Sequence, residues 1–301
     1  MAKPKEPNLG PSVISGRSRP IAIPACKLTS DDLRRLYQIL EKKAKEAAEL
    51  QVAAIQRQPG QTAEELEQLK VNVRSLMKLV VRVQGSDGHW TAASGPEALN
   101  EDALPDRLAV VEYDSGFLFR NTFNIQPQNS FSVTINFGRT GILDLTNLAV
   151  QSDTNQSLAN VVGSNVTWVD GVSDELQSFF RGRKLKIQSV LHSRYIYDVL
   201  VILIGFPGSF AFVYRIDGIL KPRVSLPEAL FVALYVYIVL VALLGFRILF
   251  NYFKWVFPRI EGPSRVHGRA DIHRAAIIFI ALTLLSLIVE SLLRMAGFPL
   301  F

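Results

Sequence analysis

Cysteine is nearly absent from this chain of 301 residues, which contains only Cys26. A single cysteine cannot form an intramolecular disulfide framework or a zinc site of the CxxC type, and it is compatible with a reducing compartment. Histidine is also scarce, with four residues, and none stands beside a cluster of cysteine or acidic residues. The sequence therefore predicts no metal site and no cofactor.

Well-known catalytic and nucleotide-binding motifs are missing as well. The chain has no GxSxG, HExxH, GxGxxG or P-loop pattern, which argues against the hydrolases, metalloproteases and nucleotide-binding enzymes that carry them. An enzyme would need a site assembled from scattered residues, for which Asp87, His89 and His192 are the candidates. We therefore favour a protein that is not an enzyme.

The start of the chain has no apolar run of signal-peptide length, so we expect no secretion of the N-terminal region. Residues 1–27 are rich in proline and carry scattered lysine and arginine. A segment of this composition buries little apolar surface. The sequence predicts a flexible, proline-rich tail over residues 1–27.

The net charge of +6 and the isoelectric point near 9.4 would suit a nucleic-acid-binding protein. The positive charges, however, cluster beside the apolar segments, where lysine and arginine typically contact anionic lipid. No aromatic residue is interleaved with the basic run that precedes the first apolar segment. We therefore interpret this run as a juxtamembrane anchor and expect no nucleic-acid partner. The run consists of Arg181, Arg183, Lys184 and Lys186.

Two amphipathic helices are predicted in residues 28–74. The first has N-cap candidates at Thr29 and Ser30, followed by an apolar stripe at three- and four-residue spacing. A Pro-Gly pair ends it, and residues 62–65 then offer a capping box for the second helix. We expect the two to form an antiparallel helical hairpin.

From about residue 76 onward, apolar residues recur at every second position instead of every third or fourth. The alternation is clearest in residues 130–137 (SFSVTINF), where every second residue from Phe131 shares one predicted face. The other predicted strands cover residues 76–83, 89–91, 108–113, 117–123, 158–162 and 166–169. With a closing helix from residue 173, residues 75–193 are predicted to form an α+β domain with an antiparallel sheet of about five to seven strands.

The longest apolar segment covers residues 226–250 and has charged side chains only near its two ends. At about 1.5 Å per residue, a helix of this length crosses a bilayer core of about 30 Å. A further span is predicted over residues 275–297. Residues 194–301 are therefore predicted to form an α-helical membrane region of two or three transmembrane helices.

The segment of residues 196–214 is interrupted by Gly205, Pro207 and Gly208. Its strictly apolar part is shorter than the length that identifies a span. A re-entrant hairpin and a buried helix of the soluble domain are therefore alternatives. We favour a kinked or partial span, because membrane helices tolerate proline and glycine where neighbouring groups satisfy the backbone.

The distribution of cations predicts the orientation. If residues 196–214 span the membrane, ten lysine and arginine residues lie on the side of the soluble domain and three on the other side, or four with Arg294. If they do not span it, eight lie with the domain and five in the loop. Positive charge marks the cytoplasmic side. Both counts predict a multi-pass integral membrane protein whose soluble N-terminal domain faces the cytoplasm.

Three ionisable residues are candidate functional residues of the membrane region. Glu290 and Arg294 stand four residues apart, so they could line an ion path or join two subunits. We favour the interpretation that they form a local ion pair near the membrane surface, with Arg294 extended outward. Asp198 opens the first apolar segment, which favours an interfacial position.

These observations support three functional hypotheses. The leading one is a non-enzymatic membrane-anchored sensor or adaptor, whose cytosolic domain binds a ligand or partner protein and whose membrane helices form a homo-oligomer in the lipid bilayer. The spans are too few for an ordinary monomeric transporter. The second is an oligomeric membrane effector that forms a pore or disrupts the bilayer, as in cell-suicide defence. The third is a membrane-bound enzyme with an unrecognised site.

Overall fold

The computed structural model describes residues 16–139, 141–142, 157–221, 227–263, 272–277 and 279. The labelled helices in these ranges are α1 (Ser30–Ala53), α2 (Ala63–Leu76), α3 (Phe117–Phe123), α4 (Val166–Arg181), α5 (Lys186–Leu191), α6 (Arg194–Leu200), α7 (Phe206–Leu220) and α8 (Glu228–Val256). The strands are β1 (Arg17–Ala22), β2 (Cys26–Lys27), β3 (Val80–Gly85), β4 (Trp90–Ala93), β5 (Leu108–Asp114), β6 (Asn129–Asn136), β7 (Leu158–Gly163) and β8 (Ile260–Glu261).

Six of the strands form one sheet in the order β1-β7-β6-β5-β3-β4. Every neighbouring pair in this sheet is antiparallel. The predicted antiparallel sheet of five to seven strands with accompanying helices is therefore confirmed. The short strands β2 and β8 pair in parallel in a separate two-stranded sheet.

One face of the sheet forms the core. Tyr113, Val133 and Ala159 are aligned across β5, β6 and β7, and all three are fully buried. Helices α1 and α4 cover this face, and the Tyr113 hydroxyl donates a 3.0 Å hydrogen bond to the carbonyl of Leu33 in α1. The alternation predicted for residues 130–137 is confirmed, because every second side chain of β6 packs in this core.

The predicted capping box of the second helix is confirmed, and Thr29, one of the two N-cap candidates of the first helix, forms a capping box as well. The Thr29 hydroxyl accepts a hydrogen bond from the backbone N–H of Asp32 (3.2 Å), and the Asp32 carboxylate accepts one from the N–H of Thr29 (3.0 Å). Thr62 and Glu65 form the same reciprocal pair at the start of α2. Each box satisfies two N–H groups that the helix leaves without an internal partner.

Asp32 also ties α1 to the end of α4. Arg183 donates from Nε to Asp32 at 2.7 Å, and its guanidinium lies 3.8 Å from the centroid of the Phe179 ring. Burial alone would raise the pKa of Asp32, but hydrogen bonds from Thr29 and Arg183 outweigh it and hold that pKa below its ordinary value. The carboxylate is therefore ionised at neutral pH and binds the segment that follows α4.

The prediction of a flexible tail over residues 1–27 is wrong for its described part, which contains the edge strand β1. Arg17 and Arg19 each form a 3.0 Å ion pair with Asp170 in α4. Pro20 is tolerated because an edge strand has one unpaired side. The partner strand β7 lies far away in the sequence, so local composition contains no sign of this pairing.

Two segments that were predicted as strands are helical. Residues 117–123 form α3, in which Phe119 and Phe123, four residues apart, pack with ring centroids 5.0 Å apart. Residues 166–169 form the first turn of α4, whose N-cap Asn165 accepts a 3.0 Å hydrogen bond from a backbone N–H in that turn. The closing helix therefore begins earlier than predicted.

Among the described residues, two helical stretches are long and apolar enough, by length and composition, to cross a membrane, namely Tyr195–Leu220 and α8. Near one end of the pair, the rings of Tyr197 and Phe250 lie 5.1 Å apart. Near the other end, the Tyr235 hydroxyl donates to Asp217. The two helices therefore run antiparallel, and we call them the apolar hairpin.

The predicted interruption at Gly205, Pro207 and Gly208 does not end the first apolar helix. In a regular α-helix a proline ring collides with the carbonyl four residues earlier. Here a π-helical turn, Val201–Gly205, precedes the proline, and the N–H of Phe206 bonds to the carbonyl five residues earlier. The helix is continuous through residues 196–214, so this segment does not fold back as a hairpin. Only 11% of its most apolar 18-residue stretch is buried, so it is not a buried helix of the sheet domain.

Glu290, Arg294 and most of the predicted span over residues 275–297 lie outside the described residues. Residues 272–277 are helical. They begin beside the end of α8, where Nδ1 of His273 lies 2.8 Å from the Tyr252 hydroxyl.

Candidate functional site

A groove lies on the face of the sheet that α1 and α4 leave open. It has a volume of about 790 Å³, and we call it the sheet groove. Its floor comes from β3, β5, β6 and β7, and its wall comes from α3 and the chain that follows α3. The polar floor residues are Arg82, Glu112, Ser132, Thr134 and Asn160.

The strand register explains why these polar side chains meet. Arg82, Glu112 and Thr134 are aligned across β3, β5 and β6, and Ser132 is aligned with Asn160 of β7. Because successive side chains of a strand point to opposite faces, the groove residues are those that alternate with the buried core positions. The sheet groove is therefore the outward half of the same pattern that builds the core.

Ion pairs balance the charges of the sheet groove. Arg82 pairs with Glu112 across the β3–β5 ladder, and its guanidinium lies 4.7 Å from the centroid of the Phe117 ring. On the wall, Arg120 of α3 pairs with Asp114. A ligand in the groove therefore meets a polar surface of paired charges.

This lining suits binding better than catalysis. The described lining residues include no histidine, cysteine or lysine, and arginines hold both carboxylates. Ser132, Thr134 and Asn160 add neutral hydrogen-bond donors and acceptors. A small polar ligand or an extended polypeptide fits this surface, whereas covalent catalysis needs a nucleophile beside a general base.

A second candidate site connects the sheet domain with the apolar hairpin. Strand β2 lies between the segment that enters the hairpin and the segment that leaves it. The N–H of Leu185 donates to the carbonyl of Ala25 at 2.9 Å, and the N–H of Leu28 donates to the carbonyl of Glu261 at 2.8 Å. We call this contact the junction. It comprises residues 25–28, 183–192 and 256–261.

Glu261 is the polar centre of the junction. Its carboxylate accepts hydrogen bonds from Nε2 of Gln188 and from the guanidinium of Arg274, both at 2.6 Å, and its side chain is 14% exposed. Arg274 also donates to the carbonyl of Val256 at 3.1 Å. The Glu261 carboxylate therefore binds both α5 and residues 272–277. Arg274 in turn connects it to the end of α8.

The junction is closely packed around Cys26. This residue is fully buried, and burial raises the pKa of its thiol to about 12 although Arg183 and Arg259 lie nearby. Directly after β8, a Cβ added to Gly262 would lie 2.5 Å from the ring of Phe137, the residue that follows β6. The residue that follows a strand of the groove floor therefore packs beside the end of the junction.

The predicted basic run divides into two parts. Arg183 is bound to Asp32 and stacked on Phe179, so it holds α4 to α1. Lys184 and Lys186 are exposed, and neither ammonium group forms an ion pair within the described ranges. Arg181 is exposed at the end of α4. Only part of the run is therefore available to a partner outside the chain.

The other candidate residues have local contacts. Asp198 is exposed in α6. In the turn between β3 and β4, the Asp87 carboxylate accepts a 3.1 Å hydrogen bond from the backbone N–H of His89, while Nε2 of His192 lies 2.8 Å from the carbonyl of Phe257 in the junction. Asp87, His89 and His192 therefore belong to two different features of the described structure.

Comparison of the chain with protein-family models, with curated proteins and with solved structures finds no match. The functional proposal therefore depends on the sheet groove and the junction.

Neither the sheet groove nor the junction was predicted from the sequence. The alternate polar residues Ser132 and Thr134 mark an open face of β6, but only the tertiary fold shows which strands extend that face.

Proposed function

We propose that this chain is a non-enzymatic sensor or adaptor and a multi-pass integral membrane protein whose sheet domain faces the cytoplasm. The sheet groove binds a small polar ligand or a partner protein. Binding shifts the sheet, and the junction transmits this shift to the apolar hairpin. The hairpin assembles with other copies of the chain in the bilayer.

The exposed apolar surface of the hairpin supports its placement in a bilayer. No residue of the most apolar 18-residue stretch of α8 is buried within the chain. Large side chains of the hairpin such as Phe210, Val236 and Leu240 are exposed. Soluble proteins rarely leave an apolar surface of this extent in water. Lipid tails cover such a surface readily, because they are as apolar as the side chains.

The geometry of the hairpin supports the proposed orientation. Both ends of the hairpin meet at the junction, and residues 272–277 begin at the same end. The described cations Arg181, Arg183, Lys184, Lys186, Arg194, Lys254, Arg259 and Arg274 are then on the side of the sheet domain, and Arg215 and Lys221 are on the other side. Positive charge marks the cytoplasmic side, which supports a cytoplasmic sheet domain.

The junction is the observation that carries the proposal. Strand β6 contributes to the groove floor, and the residue after it, Phe137, contacts Gly262 next to β8. Strand β2 is bonded on one side to the entry of the hairpin and on the other side to its exit. A ligand that shifts the sheet therefore acts on both hairpin helices through packed and hydrogen-bonded backbone.

A photo-crosslinking amino acid placed at Asn160 tests the sheet groove. We expect a discrete crosslinked product in native membranes, because Asn160 lies on the groove floor. The same probe at the exposed Gln68 of α2 is the control and should yield no such product. Thr134→Arg, which fills the groove, should abolish the product at Asn160. A product that forms equally at Gln68, or that survives Thr134→Arg, would contradict ligand binding in this groove.

A membrane effector is the second candidate function, and the exposed apolar surface of the hairpin favours it. Copies of the chain could cover that surface by forming a pore or by disrupting the bilayer, as in cell-suicide defence. If so, expression should collapse the membrane potential, which a potential-sensitive dye reports. A potential that stays unchanged with and without candidate ligands would argue against this function and leave the sensor proposal in place.

A further inference from the structure

A shallow cavity of about 510 Å³ lies where the sheet domain meets the first apolar helix. We call it the entry shelf, because it lies at the point where the chain enters the apolar hairpin. Its lining includes Lys184, Lys186, Ser189, Ser193, Tyr195 and Val199.

The two cations of the entry shelf lack a protein counter-charge. Lys184 and Lys186 are exposed and form no ion pair within the part of the chain that the structure describes. No acidic residue is among the described lining residues of the shelf. The preceding Arg183 differs, because Asp32 neutralises it. The shelf is therefore a locally positive surface.

Exposed apolar side chains adjoin these cations. Ile187 is 79% exposed, Val190 57% and Tyr195 75%. Ile187 and Val190 stand three residues apart in α5 and so lie on one face. Through Val199, which also lines the cavity, this apolar surface continues into the first apolar helix. Positive charge beside an apolar surface suits a molecule with an anionic head and an apolar tail.

Ser189 provides a hydroxyl that has no hydrogen-bond partner among the described residues. Its Oγ is buried and makes no hydrogen bond to the described residues, although a helical serine often bonds to the carbonyl four residues earlier. Ser193 lies four residues further on and also lines the shelf. Hydroxyl donors beside ammonium groups are suited to phosphate oxygens.

We propose that the entry shelf binds the headgroup phosphate of an anionic phospholipid. Lys184 and Lys186 pair with the phosphate, and Tyr195 and Val199 contact the acyl chains where they follow the first apolar helix. This inference rests on the proposed membrane placement of the hairpin. It deepens that proposal by naming the class of lipid and the residues that select it.

Native mass spectrometry of the full chain in detergent tests the site, with phosphatidylglycerol and phosphatidylcholine as the probes. We expect Lys184→Gln/Lys186→Gln to bind phosphatidylglycerol about thirtyfold more weakly than the parent, given the attraction of two lysines to an anionic lipid. Lys184→Arg/Lys186→Arg should retain binding, because it keeps both charges. Phosphatidylcholine, which has no net charge, should bind weakly to every variant.

The matched control is Lys42→Gln/Lys78→Gln, which removes the same charge from two exposed lysines of the sheet domain and should leave lipid binding unchanged. Equal phosphatidylglycerol affinity in the parent and in Lys184→Gln/Lys186→Gln overturns the proposal. Phosphatidylcholine binding as tight as phosphatidylglycerol binding also overturns it. So does displacement of the lipid by millimolar inorganic phosphate, because the site would then select a free anion.

Failure of this inference can be separated from failure of the proposed function. Alkaline carbonate extraction of native membranes reports whether the parent chain is integral to the membrane. A chain that is extracted refutes the membrane placement itself. A chain that resists extraction but binds lipid equally with and without Lys184 and Lys186 refutes the entry shelf alone, and the proposal for the sheet groove stands.

Discussion

Replacing Glu261 with alanine is expected to raise the alkylation rate of Cys26 by about 30- to 150-fold. Glu261 accepts hydrogen bonds from Gln188 and Arg274, both at 2.6 Å, and its removal leaves both donors without this partner. Losing hydrogen bonds of this charged kind costs about 2–3 kcal/mol. Because a buried thiol reacts only when the surrounding structure opens, the rate should follow the open population of the junction.

Cys26 makes this measurement specific, because it is the only cysteine in the chain. In the closed junction the thiol is fully buried, and burial raises its pKa to about 12, so at pH 8 the reactive thiolate is almost absent. Maleimide labelling of the full chain in detergent, followed over time by mass spectrometry, gives the rate. The parent should react slowly until it is unfolded.

Two variants separate the junction from a general loss of stability. Glu175→Ala removes a carboxylate that pairs with Lys43 at 3.1 Å on the surface of the sheet domain and should leave the Cys26 rate unchanged. Glu261→Gln keeps a side-chain acceptor but loses the charge, so its rate should fall between those of the parent and Glu261→Ala. An unchanged rate in Glu261→Ala, or an equal rise in Glu175→Ala, would show that Glu261 does not hold the junction closed.

Local patterns in the sequence predict the elements that local physics controls. The N-cap at Thr29, the capping box of residues 62–65, the alternation of residues 130–137 and the two apolar segments before residue 257 each depend on neighbours within a few residues. All four are present in the described structure. The approximate number of strands was also right, although the strands were not all identified. Residues 117–123 and 166–169 are helical, and β1 was missed.

The errors have a common physical origin. A strand is stabilised by partners that lie far away in the sequence, as β1 is by β7, and four to seven residues are too few to separate a helical period from a period of two. The sheet groove and the junction are harder still to predict. The groove needs the register of four strands, and the junction joins segments about 75 to 230 residues apart in the sequence.

The second large effect is expected in the core, where Phe131→Ala should lower the free energy of unfolding of the sheet domain by about 3–5 kcal/mol. The Phe131 side chain is buried, and its ring stacks on Trp168 of α4 with the centroids 6.4 Å apart. Removing the ring leaves a cavity between β6 and α4 that the surrounding structure fills only in part. A domain of this size has about 5–15 kcal/mol of stability in total, so the loss is a large fraction of it.

Urea unfolding of the full chain in detergent, followed by tryptophan fluorescence, measures this loss. The matched control is Thr134→Ala, three residues further along β6 on the face of the sheet groove, which should cost less than about 1 kcal/mol. The contrast follows from the alternation of the strand, because one face of β6 holds the core together and the other is open for binding. Similar losses in the two variants would mean that something buries the groove face as deeply as the core, and the groove would then not be an open binding surface.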